Sequence, residues 1–170
     1  MVSTLALLLN AGHEATVHVI ANGVKAVLES SLPPAKAFET DKTTFASIEE
    51  LLRFDAPLHM FTRYVLADQE YCGVPLKTGD KIGLLLGAAN RDPIRFPDPD
   101  RLDLGRSNAG QHVSFGGGIH FCIGAPLARL ELQTVLPILF ERLPQLRLAT
   151  LPQYRDSYHF RGLERLDLEF

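Results

Sequence analysis

The sequence lacks the features of several common functional classes. Its 170 residues carry a formal net charge of −3, so no basic surface is available to track nucleic acid. It has only two cysteines, too few for a disulfide framework, and we expect a reduced, cytoplasmic protein with Cys72 as a small buried hydrophobe. The apolar start MVSTLALLL has no basic residue and no A-x-A-like cleavage site after it. Polar residues from Asn10 onward end it well short of the roughly 18 residues of a membrane span, so we predict neither a secretory signal nor a membrane segment.

A zinc-protease motif is also missing, although the stretch HEATVH is close to one. The motif H-E-x-x-H places two histidines four residues apart on one helical face. Here His13 and His18 are five apart, which turns their rings about 140° away from each other on a helix. The stretch therefore argues against zinc. Four histidines have no partner that the sequence reveals and are predicted to be surface or satisfied core residues: His18, His59, His112 and His159.

The first third of the chain has a helical pattern. Apolar residues recur at three- and four-residue steps over 1–32, which predicts one long helix that Pro33 and Pro34 end. A polar connector leads to a shorter helix over 46–54. The segments HMFTRYVLA and KIGLLL then have strand character, with turns between them in EYCGVPLKTGD.

The second half alternates irregular and helical segments. Three prolines among charged residues exclude a regular helix or central strand over 91–107, because proline removes a backbone donor, so this segment is an ordered meander or a linker. A glycine-rich loop over 114–124 precedes a helix over 125–143, with Pro126 in its first turn and a kink expected at Pro137. The segment YHFRGLERLDLEF is predicted to close the chain as a hairpin. The fold class is therefore mainly α with small β-sheets (α+β).

The glycine-rich loop carries the clearest chemical signal. Cys122 lies just before a helix N-terminus, where free N–H groups and the helix dipole favour a thiolate. Gly116, Gly118 and Gly124 let the backbone pass close to something large and flat. The phosphate loop G-x-x-x-x-G-K-[ST] and the c-type haem motif C-x-x-C-H are both absent. A lone thiolate among backbone amides suits an axial ligand to haem iron, and a cysteine nucleophile with His120 as its base is the weaker alternative.

This loop resembles the haem signature of the cytochrome P-450 family. The family pattern F-x-x-G-x-x-x-C-x-G is met at Phe115, Gly118, Cys122 and Gly124. Cys122 would then be the proximal ligand of a non-covalent haem b, and Phe115 would pack near the proximal face of the porphyrin. The resemblance also implies that His120 and Arg63 hold the haem propionates through charge-assisted hydrogen bonds.

The family's E-x-x-R motif is matched by Glu50 and Arg53 in EELLR. The resemblance implies that these two residues and a meander arginine form a buried network beneath the haem. The residues alone also allow an ordinary helix, with Ser47 and Glu50 as a capping box and Glu50 with Arg53 as an i,i+3 pair. For the meander arginine we favour Arg101 in PDRL, where the family usually has P-x-R-F; Arg95 and Arg106 are the alternatives.

The opening helix resembles the family's distal helix, which carries A-G-x-[DE]-T. Ala11, Gly12 and Glu14 match, and the resemblance implies that Gly12 lets the helix approach the porphyrin while Glu14 relays protons. The family's usual threonine is Ala15 here, and Thr16 follows about 100° further around the helix. The hydroxyl that normally delivers protons is therefore missing or displaced.

The resemblance covers residues 1–170 but only the C-terminal part of the cytochrome P-450 fold. It implies a haem monooxygenase that inserts oxygen from O₂ into a C–H bond of a small organic substrate, with two electrons from a ferredoxin or flavodoxin. We expect the chain to be truncated and inactive when isolated. The alternative is a non-catalytic remnant, or one piece of a split cytochrome that needs the missing N-terminal half.

Overall fold

The computed structural model describes residues 1–170 and contains helices and four two-stranded antiparallel sheets. The helices are α1 (Val2–Glu29), α2 (Pro34–Ala37), α3 (Asp41–Phe54), α4 (Leu86–Ala89) and α5 (Ala125–Arg142). The strands are β1 (Phe61–Tyr64), β2 (Gln69–Tyr71), β3 (Val74–Leu76), β4 (Lys81–Leu84), β5 (Arg147–Leu148), β6 (Gln153–Tyr154), β7 (Leu163–Arg165) and β8 (Leu168–Glu169). The predicted mainly α fold with small sheets is confirmed.

Helix α1 divides into an exposed and a buried half. Residues 1–14 are all exposed, and no side chain caps the first turn. The helix ends at Glu29, three residues earlier than predicted, because Ser30 adopts an extended backbone and its hydroxyl donates to the carbonyl of Val27. The second half packs into the core. No helix of the fold is both long enough and apolar enough to cross a membrane.

Helix α3 begins at Asp41, five residues before the predicted start. Its cap is Thr40, whose hydroxyl accepts from the backbone N–H of Thr43, while the Thr43 hydroxyl bonds back to Thr40. The alternative that the residues alone allowed, a capping box of Ser47 and Glu50, is therefore excluded, since a threonine pair further upstream already satisfies the free amides. Ser47 lies inside the helix, where its hydroxyl donates to the carbonyl of Ala37.

The core forms where α1, α3 and α5 meet. Its members are apolar and almost fully buried, and they include Val19 and Val27 from α1, Ile48, Leu51 and Leu52 from α3, and Leu132 and Leu136 from α5. Helix α5 starts with Pro126 in its first turn and continues through Pro137. The buried residues Ala125, Leu132 and Leu136 anchor α5, and the glycine-rich loop leads directly into its first residue.

The sheets differ from the sequence prediction in two places. The two segments expected to have strand character form β1 and β4, which pair with each other, but the intervening segment forms a hairpin of its own, β2 with β3. Its turn residues Cys72 and Gly73 have positive φ values of 52° and 77°, as two-residue hairpin turns require. The predicted terminal hairpin is wrong, because β7 pairs with β6 and β8 with β5. The chain folds back once, between Tyr154 and Leu163.

Candidate functional site

The centre of the candidate site is an ion pair with no exposed side-chain surface. Arg53 Nε donates to Glu50 Oε2 over 2.7 Å, and a terminal nitrogen of the same guanidinium donates to Oε1 over 2.8 Å. Both side chains are 0% exposed. The E-x-x-R motif therefore does not form an ordinary surface pair, and its charges need further partners to be stable in the interior.

The remaining N–H groups of Arg53 organise the meander. One terminal nitrogen donates to the carbonyl of Asn90 over 2.8 Å and to that of Pro99 over 3.0 Å. The ring of Phe96, which is buried, lies 5.3 Å from the guanidinium carbon. Residues 90–108 contain no helix or strand, so these contacts with Arg53 take the place of a regular hydrogen-bond ladder.

The meander arginine of the network is Arg106, and the prediction of Arg101 is wrong. Arg106 Nε donates to Glu50 Oε1 over 3.2 Å, and its other nitrogens donate to the carbonyls of Pro97, Asp98 and Arg101. Arg101 has an exposed side chain and supplies only its carbonyl oxygen. The backbone N–H of Asp103 also donates to Glu50 over 2.9 Å, which turns the chain so that Arg106 reaches the carboxylate.

A second buried network joins α3 to α5 and to the segment before the glycine-rich loop over 114–124, called the cysteine loop below. Arg129 donates to both carboxylate oxygens of Glu49, over 2.6 and 2.9 Å. His112 Nε2 lies 3.5 Å from the same carboxylate, and the Arg129 guanidinium lies 4.6 Å from the ring centre of Phe115. The sequence analysis did not identify Glu49 or Arg129. The expectation that His112 is a surface or satisfied core residue is wrong, because its Nε2 is buried and makes no hydrogen bond.

This second network predicts a specific loss of stability in acid. Burial alone would raise the pKa of Glu49, but the hydrogen bonds from Arg129 and then the attraction of His112 outweigh it, and the pKa falls from 4.5 to about 2. As the pH drops below 4.5, the unfolded state takes up the proton first, so the folded state loses up to about 3 kcal/mol by the time the pH reaches the folded pKa. Urea unfolding at neutral pH and near pH 3 should show a smaller acid loss in Glu49→Gln than in the parent. Glu39→Gln, at an exposed position, should behave like the parent; equal losses in all three would contradict the assignment.

Asn90 connects the meander to the cysteine loop and is fully buried. Its amide donates to the hydroxyl of Ser114 over 2.8 Å, and its side-chain oxygen accepts from the backbone N–H of Val113. Ser114 in turn donates to the carbonyl of Leu52 over 2.7 Å. One uncharged side chain thus fixes the start of the loop to the end of α3.

The cysteine loop closes on itself. The backbone N–H of Cys122 donates to the carbonyl of Phe115 over 2.9 Å. Gly116 and Gly118 make the turn possible with φ values of 72° and 63°, a region that only glycine enters freely. The loop ends where Gly124 precedes α5. Cys122 is an exposed, free thiol at this point.

The surroundings of Cys122 fit a thiolate-ligated haem. Ile119 is 98% and Ile123 is 88% exposed, and the neighbouring Phe121 and Leu127 are exposed as well. Such a concentration of exposed apolar side chains around one free thiol indicates a surface that an apolar ligand covers. At Gly117 and Gly118 a Cβ would meet no atom within 4 Å, so the backbone leaves open space beside the loop. The donor chemistry and the apolar setting both agree with the sequence-based expectation of haem.

Other predicted site residues lie on separate elements. Gly12, Glu14, Ala15 and Thr16 belong to α1, where Thr16 Oγ1 bonds the carbonyl of Gly12 over 3.3 Å. Glu14 faces His18, with 3.9 Å between the carboxylate and Nε2, so the prediction that His18 has no partner is corrected.

The two residues predicted to hold propionates are both exposed. Arg63, on β1, donates only to the adjacent carbonyl of Thr62. His120 ends a short 3₁₀ turn within the cysteine loop. No hydrogen bond or ion pair joins either of them to Cys122.

Comparison with known proteins gives a uniform result. The cytochrome P-450 family model matches residues 3–153. The chain is similar to a biotin biosynthesis cytochrome P-450 of Bacillus subtilis, with 43% identity over 99% of this chain and 42% of the relative. It is also similar to the cytochrome P-450 monooxygenase PikC of Streptomyces venezuelae, with 45% identity over 96% of this chain and 40% of the relative.

A solved structure agrees with these relatives. The crystal structure of P-450 BioI in complex with an acyl carrier protein ligated to hexadec-9Z-enoic acid superposes with a TM-score of 0.91 and 43% identity, over 96% of this chain and 43% of that one. The chain therefore spans about two fifths of the length of the proteins it matches. Its fold is that of their C-terminal part.

Proposed function

Because the chain belongs to the cytochrome P-450 family, we propose that it is the haem-holding part of a monooxygenase. The observation that carries the proposal is the free thiol of Cys122, exposed in a loop that two buried ionic networks and Asn90 hold in place. A haem b bound there supplies a thiolate-ligated iron that activates O₂. The test is the difference spectrum of the reduced, CO-bound chain after loading with haem, in which a thiolate-type band is the expected result.

The roles of the individual residues follow from their positions. Cys122 would ligate the iron, and Phe115, whose carbonyl accepts the Cys122 N–H, would lie against the proximal face. His120 and Arg63 have exposed side chains without acidic partners, so both are free to bind propionates. Glu50, Arg53 and Arg106 would keep the loop and meander in one arrangement.

The reaction we propose is insertion of one oxygen atom of O₂ into a C–H bond of a small organic substrate. The two electrons would come from a ferredoxin or flavodoxin-type donor. The relatives include proteins named for biotin and polyketide biosynthesis, which supports an organic substrate. Both cysteines are free, as suits a reducing, cytoplasmic compartment.

A second candidate function is one piece of a split cytochrome, and the exposed half of α1 favours it. Leu5, Leu7, Leu8 and Leu9 are all exposed on this half. Burying such a surface against further protein would stabilise it. If haem loading of the chain gives no thiolate band alone but gives one after addition of the N-terminal half of a relative, the second candidate is supported over the first.

The absence of a hydroxyl at Ala15 predicts a change in coupling between O₂ use and product. The hydroxyl of Thr16 bonds the carbonyl of Gly12, which leaves Glu14 as the proton source on this stretch of α1. In a full-length enzyme reconstituted with the missing N-terminal half, Ala15→Thr should therefore raise the product formed per O₂ consumed for substrates without a hydroxyl of their own, because a placed proton donor is worth roughly 10²–10⁴ in rate. Ala15→Val has the same shape without the hydroxyl and serves as control. Equal gains in both variants, or none in Ala15→Thr, would refute this.

A further inference from the structure

His18 occupies a fitted position between α1 and the C-terminal segment. The residue is 6% exposed, and its ring lies 5.7 Å from that of Phe160 at a tilt of 49°. A Cβ at Gly162 would overlap the imidazole, so only glycine allows the segment to approach this closely. The glycine at position 162 thus leaves the space in the C-terminal segment that the His18 ring fills.

The two nitrogens of the same ring could form hydrogen bonds that the packing does not provide. Neither ring nitrogen of His18 makes a hydrogen bond with another protein group. Nε2 points along α1 towards Glu14 Oε1, 3.9 Å away and one helical turn earlier. The Glu14 side chain is about half exposed, so it can turn between His18 and the open side of the helix. A small movement or one bridging water closes the remaining distance.

The charges around His18 suit proton transfer. The titratable groups acting on the ring are Glu14 on the same helix and Arg155 in the segment after β6. Burial lowers the pKa of His18 and Arg155 lowers it further, while Glu14 raises it. A histidine with a lowered pKa releases its proton readily once it is protonated.

We propose that His18 returns a proton to Glu14 each time that Glu14 has given one up, an inference that rests on the proposed function of the chain. In this step the Nε2–H bond of the imidazolium breaks as an O–H bond forms on Glu14. The imidazole is left neutral, and solvent supplies the next proton. His18 is thus a positioning residue that acts through Glu14, and it supports the carboxylate where Ala15 offers no hydroxyl.

The first experiment follows the imidazole of His18 by NMR in the chain as a function of pH. Glu14→Gln removes the one charge that favours the imidazolium, so the titration of His18 should move to lower pH. Glu29→Gln is the matched control, because Glu29 pairs with Lys25 at the same spacing on the same helix and should leave the titration unchanged. An unchanged titration in Glu14→Gln would overturn the proposal and leave His18 as a packing residue.

The second experiment uses the haem-loaded chain after addition of the N-terminal half of a relative, and it measures product per O₂ from mildly acidic to mildly alkaline pH. His18→Gln should lower this ratio roughly tenfold and flatten its pH dependence. His13→Gln, at an exposed position on the same helix, should keep both. A His18→Gln variant with the parent's ratio and pH profile would overturn the proposal. Lack of a thiolate band in the parent would instead refute the proposed function, and the NMR titration would still decide the pairing of His18 with Glu14.

Discussion

Replacing Cys122 with serine is expected to remove the thiolate band of the reduced, CO-bound protein completely. Serine has nearly the same shape as cysteine, but its hydroxyl stays protonated and provides no soft, anionic sulfur ligand. The backbone contact from residue 122 to the Phe115 carbonyl does not involve the side chain, so the loop should keep its shape. The measurement is the CO difference spectrum of each purified variant, normalised to haem content.

Cys72→Ser is the matched control, because it changes the other cysteine in the same way. Cys72 was expected to be buried, but it is exposed in the β2–β3 turn. Its side chain therefore packs in no hydrophobic core, and its replacement should leave the spectrum unchanged. A thiolate band that survives in Cys122→Ser, or that is lost only in Cys72→Ser, would disprove the assignment of the ligand.

Glu50→Gln is expected to lower the free energy of unfolding by about 3–5 kcal/mol and to prevent stable haem retention. The carboxylate accepts from Arg53, from Arg106 and from the backbone N–H of Asp103. A glutamine has one acceptor oxygen and no charge, so it leaves a buried guanidinium without its counter-ion. Urea unfolding with and without haem measures the effect.

Two arginine variants make this prediction sharper. Arg106→Gln should be strongly destabilising, since its guanidinium bonds Glu50 and three meander carbonyls. Arg101→Gln should lie within about 0.5 kcal/mol of the parent, because only the main chain of Arg101 takes part. If Arg101→Gln proves the more damaging of the two, the network described for the meander is incorrect.

The sequence allowed the cysteine loop to be predicted because its requirements are local. The glycines at 116 and 118 and the helix start after Gly124 lie within ten residues of Cys122. The pair of Glu49 with Arg129 escaped prediction because it joins residues 80 positions apart. No spacing rule reveals such a pair before α3 and α5 are packed together.

The error at Arg101 has a different physical origin. A motif identifies side chains, whereas Arg53 and Arg106 hold the meander through carbonyl oxygens. Every residue has a backbone carbonyl, so the sequence does not reveal which of these acceptors an arginine will bind. Similarly, the fit of Gly162 against His18 joins the end of the chain to its first helix, and the sequence alone offered no reason to connect them.

The long separation between Glu50 and the meander also sets the order of folding events. The N–H of Asp103 reaches Glu50 across 53 residues of chain, and closing a loop of that size must precede any gain from the contact. Helix α3 forms from local contacts, so its ion pair stays hydrated until the meander returns and excludes water. We therefore expect the burial of Glu50 and Arg53 to be a late kinetic step, and the cysteine loop, which Asn90 ties to the meander, to acquire its final shape only at that step.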